Sequence, residues 1–205
     1  MSPYHPANRF ASSANSRRET TNLTVAMLPL LALFALSFPC WAVGNDRASA
    51  SAAVFNSYCL GMTSDFATLD HRASEGRYKV VVDRSIPMPG GQVMRQKNWL
   101  IPSQGGASIM LTSNDVTNGS LHVFGCGIYA PDLDGAAMES ALSALPRLGS
   151  PPRHSPGAGG ATVTWWWARV GEGLPSDDSQ VMLSRDVPGL LGVNVNLILK
   201  THLDH

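Results

Sequence analysis

The sequence has little charge and no excess of either sign. Of its 205 residues, 15 are basic and 15 are acidic, a charged fraction of 15%, whereas an average soluble domain has about 25%. A nucleic-acid-binding protein normally carries a basic excess or stripe, and a disordered chain combines high charge with low hydrophobicity. With 44% apolar residues, the chain is expected to fold around one core and to have no nucleic-acid partner.

The chain also lacks the residue spacings that mark cofactor, metal and catalytic sites. Its glycine-rich pieces match neither GxxxxGK[ST] nor GxGxxG, no serine lies in a GxSxG motif, and no cysteine has a CxxC neighbour. We therefore predict no cofactor and no metal site, and we name no catalytic residue. These absences favour a protein that is not an enzyme.

A long apolar run is present only near the N-terminus. Residues 25–43 contain no charge and follow three arginines, which is the pattern of a secretory signal peptide. The run ends in Cys40-Trp41-Ala42, so cleavage after Ala42 is expected, and Ala42-Val43-Gly44 offers a second site two residues later. We predict a cleaved signal peptide over residues 1–42 and a single exported domain over residues 43–205, in the periplasm or secreted.

The alternative is a membrane anchor formed by residues 25–43. The run has about the length of a helix that spans a bilayer. Pro29 and Pro39 interrupt it, and proline removes a backbone donor from a helix, which favours cleavage. The sequence alone does not determine which codon starts translation or whether the N-terminal segment is cleaved. If the segment is retained, it is the protein's one expected contact with a membrane.

Two cysteines remain once the signal peptide is removed. Cys59 and Cys126 are expected to form a disulfide, because cysteine pairs in exported proteins are usually oxidised. The loop between them is long, so the bond is expected to stabilise the fold by about 4 kcal/mol in the chain-entropy model. The alternative is two separate buried thiols.

Apolar periodicity predicts an α+β fold. Helical spacing covers residues 48–74 and 131–145, and strand-like segments lie between and after these helices. Residues 146–160 are rich in proline and glycine and are expected to form a flexible loop. We predict a mostly antiparallel sheet of about six or seven strands with two helices packed on one face, in the order αββββαβββ. No internal repeat at a fixed period is visible.

Three consecutive tryptophans form the most unusual local feature. Alternation along a strand places Trp165 and Trp167 on one face and Trp166 on the other. Aromatic rings stack on sugars or anchor protein partners, so we name these three residues as candidate binding residues. The alternative is that two of the rings fill the core and the third lies against a neighbouring strand.

His122 is the histidine that we consider as a possible catalytic residue. It shares a strand face with Cys126 by its period of two, and it could act as a general base or titrate near neutral pH. A histidine in this position is more often hydrogen-bonded beneath a helix. No partner at a meaningful spacing is visible in the sequence.

These observations lead to three functional hypotheses of different classes. The first is an exported, non-catalytic module that binds an unidentified protein or glycan. The second is a small envelope hydrolase whose site forms around His122 only in the fold. The third is a structural envelope component that acts by oligomerisation.

Overall fold

The computed structural model describes residues 41–61, 65–103, 107–149, 151–171 and 176–203. Apart from their last few positions, the predicted signal peptide and its alternative, the membrane anchor, lie outside the described residues. In the described ranges no helix is long and apolar enough to cross a membrane. Cleavage after Ala42 therefore stays a prediction.

Two of the helices in the described ranges begin at a side-chain cap. The helices are α1 (Trp41–Phe55) with a following π-helical turn (Asn56–Leu60), α2 (Phe66–Glu75) and α3 (Gly135–Ser143). Asp65 and Asp134 are the N-cap residues of α2 and α3, and each carboxylate accepts a 2.8 Å hydrogen bond from a backbone amide of the first turn. Such caps satisfy amides that have no partner within the helix.

The prediction of a single helix over residues 48–74 is wrong, because the helical structure is interrupted between the π-helical turn and α2. A side chain at Gly61 would place its Cβ 2.9 Å from the Asn56 carbonyl oxygen, so this position requires glycine. Arg147 holds the end of the π-helical turn, since its Nη1 donates to the Leu60 carbonyl at 2.6 Å. The break leaves Cys59 and Leu60 buried against the sheet.

Eight described strands form one antiparallel sheet. They are β1 (Lys79–Pro87), β2 (Val93–Ile101), β3 (Ile109–Asn118), β4 (Leu121–Ala130), β5 (Arg153–Pro156), β6 (Thr162–Ala168), β7 (Ser176–Arg185) and β8 (Val193–His202). Their spatial order is β1-β2-β3-β4-β8-β7-β6-β5. The α+β class and the mostly antiparallel sheet are thus confirmed, whereas the predicted order αββββαβββ lacks one helix and one strand.

The strand that the sequence did not reveal is β5. Its four residues, Arg153–Pro156, are mostly polar and show no apolar alternation, which is the signal that identifies strands. It lies within residues 146–160, where a flexible loop was expected, and a short 3₁₀ turn follows at Ala158–Gly160. The segment therefore contains regular structure, and its flexibility stays a prediction.

The sheet consists of two halves with the same topology. In each half one helix, α2 or α3, precedes four strands that pair in sequence order, β1 to β4 or β5 to β8. The two halves join where β4 pairs with β8, from Leu121 opposite His202 to Ala130 opposite Val193. This arrangement is a repeat of topology, although the sequence shows no repeat, and it makes β4 and β8 the centre of the sheet.

The helices pack on one side of the sheet, which we call the covered face. The Arg95 guanidinium of β2 lies 4.3 Å from the ring centre of Phe66 in α2, and Thr164 of β6 donates to Glu139 of α3 at 3.1 Å. Alternate strand residues fill the core between the two layers. The fully buried ones include Trp99, Leu111, Phe124, Ile128, Trp166, Val181, Leu183, Val195 and Leu197.

The predicted disulfide is confirmed and joins the two layers. Cys59 of the π-helical turn is bonded to Cys126 of β4, with their Cα atoms 5.5 Å apart although the residues are 67 positions apart in sequence. Both residues are buried. The bond therefore ties the N-terminal helical segment to the central strand, and a disulfide of this kind is compatible with export to an oxidising compartment.

Candidate functional site

The opposite side of the sheet, which we call the open face, is covered by no described helix. Trp166 points to the covered face and is 1% exposed, whereas Trp165 and Trp167 point to the open face and are half-buried. The predicted alternation of the triplet is therefore present. One ring lies in the core and two lie on the open face, whereas the alternative placed two rings in the core.

Trp165 and Trp167 form the wall of a hollow of about 300 Å³ near the β5 edge of the sheet. We call it the tryptophan cleft. The Arg153 guanidinium stacks over the Trp167 ring at 4.0 Å from its centre, and the Trp165 indole donates to Ser155 Oγ at 3.1 Å. Gln180 of β7 also lines the cleft. These contacts fix the orientation of both rings, because each ring is held by a neighbour on β5.

Two further hollows lie on the centre of the open face, with volumes of about 440 Å³ and 300 Å³. Both include the side chains of Asn114, Asn194 and Asn196 in their lining, with Asn98 in the smaller one. Most of the other residues that line the larger hollow are apolar. Asn196 donates to the Asn194 side-chain oxygen at 3.1 Å. The sequence signal was visible, since both asparagines alternate with the apolar residues of β8, but the alternation alone only placed them opposite the core.

Glycine forms the floor of these central hollows. Gly125 and Gly127 of β4 lie opposite Asn114 and Thr112 of β3. A Cβ at Gly127 would overlap Asn196 Oδ1 and would lie 2.6 Å from the Val195 carbonyl oxygen. Glycine at this position thus lets the neighbouring amide side chain lie flat across the central strand.

Strand pairing places the tryptophan cleft and the asparagines in one line. Successive residues of this line face each other across seven strands, at about 4.8 Å per strand, so its ends are about 29 Å apart. We call it the cross-strand row. Its members, from β5 to β2, are Arg153, Trp165, Met182, Asn196, Gly127, Thr112 and Asn98.

Asn98, at the far end of the row, has an unsatisfied oxygen. The residue is 6% exposed, its amide nitrogen lies 3.7 Å from the Met110 sulfur, and its Oδ1 has no hydrogen-bond partner among the described residues. Leaving a buried acceptor unpaired costs about 1–3 kcal/mol. A donor entering the adjacent hollow would satisfy it.

The three hollows of the open face are nearly without charge. No described residue that lines the three hollows is a carboxylate, and Arg153 is their one guanidinium or ammonium group. Arg153 forms no ion pair with any described acid, since its contact is with Trp167. Its guanidinium donors are therefore available to a ligand.

Beneath the cleft, on the covered face, Glu139 gathers three partners. It accepts from His154 at 2.8 Å and from Thr164 at 3.1 Å, and it lies 3.4 Å from Arg185. Burial alone would raise the pKa of Glu139, but the two hydrogen bonds and the Arg185 charge outweigh it and lower the pKa. The cluster anchors β5 to α3 and so supports the side of β5 that carries Arg153.

His122 lies on the covered face, apart from the three hollows. Its Nε2 is 2.5 Å from Asp115 Oδ1, and both side chains are 24% exposed. Its positive charge, when present, also contributes to a lowered pKa at Asp65, for which the Thr68 amide is the main cause. The structure thus gives His122 the carboxylate partner that was not visible in the sequence, but it places the pair in no described hollow.

No group of three or more His, Cys, Asp or Glu side chains in the described ranges is placed to hold a metal ion. Comparison of the chain with protein-family models, with curated proteins and with solved structures gives no significant match.

Proposed function

We propose that the protein is an exported, non-catalytic binding module whose ligand lies on the open face. The observation that carries this proposal is the tryptophan cleft, where two oriented indole rings face away from the core beside Arg153. Large aromatic side chains on a surface supply contact area at low entropic cost and dominate binding energy where they occur. The disulfide and the leader-like N-terminal sequence support the export part of the proposal.

The polar groups of the cleft favour binding over catalysis. Ser155 already accepts a hydrogen bond from Trp165, and the His154 ring is held by Glu139 on the covered side. A nucleophile needs an adjacent base within hydrogen-bond reach, and neither residue offers that pairing to the other. The described residues of the cleft therefore present surfaces and donors, and no activated group is found among them.

Tryptophan fluorescence of the secreted, oxidised protein tests the proposal. Soluble polysaccharides and a protein fraction from the same compartment are titrated into wild type and into a Trp165→Phe, Trp167→Phe variant. Binding on the open face is expected to change the emission of wild type and to lose affinity in the variant. A Trp166→Phe protein is the matched control, because that ring lies in the core. Absence of any response across the panel would contradict the proposal.

The Asp115–His122 pair favours one second candidate, a small hydrolase. An aspartate that orients a histidine is the arrangement used by general bases. Hydrolysis of ester, amide and glycoside substrates that His122→Gln abolishes, with the fold and the disulfide intact, would support this candidate. Equal activity of the two proteins, or none in either, would dismiss it.

A further inference from the structure

We propose that the ligand of the open face is a carboxylate-bearing oligosaccharide that lies along the cross-strand row, from Arg153 to Asn98. The inference rests on the proposed function and names its ligand class. Four features of the described residues carry it: the ring platform, the neutral amides, the unpaired guanidinium and the unsatisfied Asn98 oxygen.

The mixture of rings and amides fits a saccharide better than other polymers. The apolar faces of sugar rings stack on aromatic rings, and asparagine amides both donate to and accept from hydroxyl groups. The row offers both along about 29 Å, with Trp165 at one end and Asn196, Thr112 and Asn98 beyond it. A single sugar would occupy the tryptophan cleft and leave the amides unused.

Other ligand classes meet specific obstacles on this face. An extended peptide pairs with the edge of a sheet, whereas the backbone of the central strands is already paired on both sides. A lipid chain would bury the amides without partners, which is costly. A nucleic acid requires several cations for its phosphates, and the three hollows have only Arg153 among their described lining residues.

Arg153 indicates that the saccharide carries a carboxylate. A guanidinium stacked on an aromatic ring keeps its planar donors free for a bidentate contact with a carboxylate. The described lining residues supply no acid to compete. An acidic sugar whose ring lies on Trp165 would place its carboxylate toward Arg153, because the two residues are paired neighbours on β5 and β6.

Asn98 indicates where the far end of the chain lies. Its buried Oδ1 lacks a donor among the described residues, and it borders the smaller central hollow. A sugar hydroxyl in that hollow would donate to it. The reach from Arg153 to Asn98 therefore predicts that affinity depends on the length of the oligosaccharide.

Calorimetry with two pairs of probes tests the inference: short and long oligomers of a hexuronic acid, and neutral hexose oligomers of equal lengths. Wild type is expected to bind the long acidic oligomer at least tenfold more tightly than the short acidic one and than the long neutral one. Arg153→Gln is expected to abolish the preference for acid, so that the affinity for acidic oligomers falls by a larger factor than the affinity for neutral ones. Asn114→Ala, which alters the central hollows, is expected to weaken only the long oligomers. Arg72→Gln is the charge-matched control on the covered side, where Arg72 donates to Ser57.

The outcomes separate this inference from the proposal beneath it. Equal affinity for short and long oligomers would overturn the cross-strand placement. Equal loss of acidic and neutral binding in Arg153→Gln would overturn the carboxylate contact. If no saccharide binds but the protein fraction changes the Trp165 and Trp167 emission, the ligand class is wrong and the binding module stands. If no probe binds, both fail.

Discussion

The two faces of the sheet differ in what covers them and in what their residues are placed to do. The covered face is buried under the helices, is tied to them by the Cys59–Cys126 bond, and holds Trp99 and Trp166 in its core. The open face holds Trp165 and Trp167 beside amides and glycines, with no described helix above it. Residues of one strand thus lie in the core or on the open face according to the parity of their position.

Adjacent tryptophans give the largest expected contrast between the faces. Trp166→Ala is expected to lower the free energy of unfolding by about 3–5 kcal/mol, because it leaves a cavity in the core. Trp165→Ala removes a half-buried cross-strand contact and is expected to cost about 1 kcal/mol. Urea unfolding of both variants measures the difference. Similar losses would show that the open face is part of the core.

Parity is also what the sequence could predict. The alternation of Val193, Val195 and Leu197 with Asn194 and Asn196 identified a half-buried strand, and the structure buries the aliphatic set. The alternation could not predict that the other side of the sheet is covered by no described helix, because the side on which the helices pack is a property of the whole fold.

Other side-chain pairs depend on strand register and could not be predicted from the sequence. Arg153 and Trp167 lie on strands whose register is set by the fold, and β5 itself has no apolar signal. Asp115 and His122 are seven positions apart and meet because β3 and β4 form a hairpin. Composition predicted the disulfide because only one pair was left after cleavage, which needs no geometric information.

Removal of the disulfide, which lies on the covered face, is expected to have the second largest effect on stability. A Cys59→Ala, Cys126→Ala double variant is expected to lose about 4 kcal/mol of stability, because the unfolded chain regains the freedom of a long loop. Urea unfolding under oxidising conditions compares it with wild type. Where enough protein stays folded, saccharide affinity is expected to be unchanged. An unchanged midpoint would contradict the stabilising role of the bond.

Two glycines of β4 differ in the space that the open face leaves for a side chain. Gly127→Ala is expected to destabilise by about 1–3 kcal/mol, because the added Cβ collides with the Val195 carbonyl oxygen at 2.6 Å. Gly125→Ala has its nearest neighbour, Asn114 Cβ, at 3.7 Å. It is expected to stabilise by about 0.5 kcal/mol, since alanine has less backbone freedom to lose. Thermal unfolding of the pair provides the measurement, and equal effects would contradict the predicted difference in space.

The smallest predicted effect is the loss of folding stability at acid pH. The covered side has carboxylates that can titrate, whereas the described residues that line the hollows of the open face include none. The Thr68 amide, as the largest cause, lowers the pKa of Asp65 below its ordinary value of 3.8. A carboxylate whose pKa is lowered on folding stabilises the fold above the unfolded pKa and loses that contribution as the pH falls through the folded pKa.

Asp65→Asn keeps an acceptor for the cap, so its cost at neutral pH is expected to stay below about 1 kcal/mol. Its stability is expected to fall less steeply than that of wild type as the pH drops below about 4. Urea unfolding at a series of pH values measures both slopes, with Asp65→Ala as the variant that loses the cap at every pH. Parallel acid profiles for wild type and Asp65→Asn would place the acid sensitivity of the covered side on other groups.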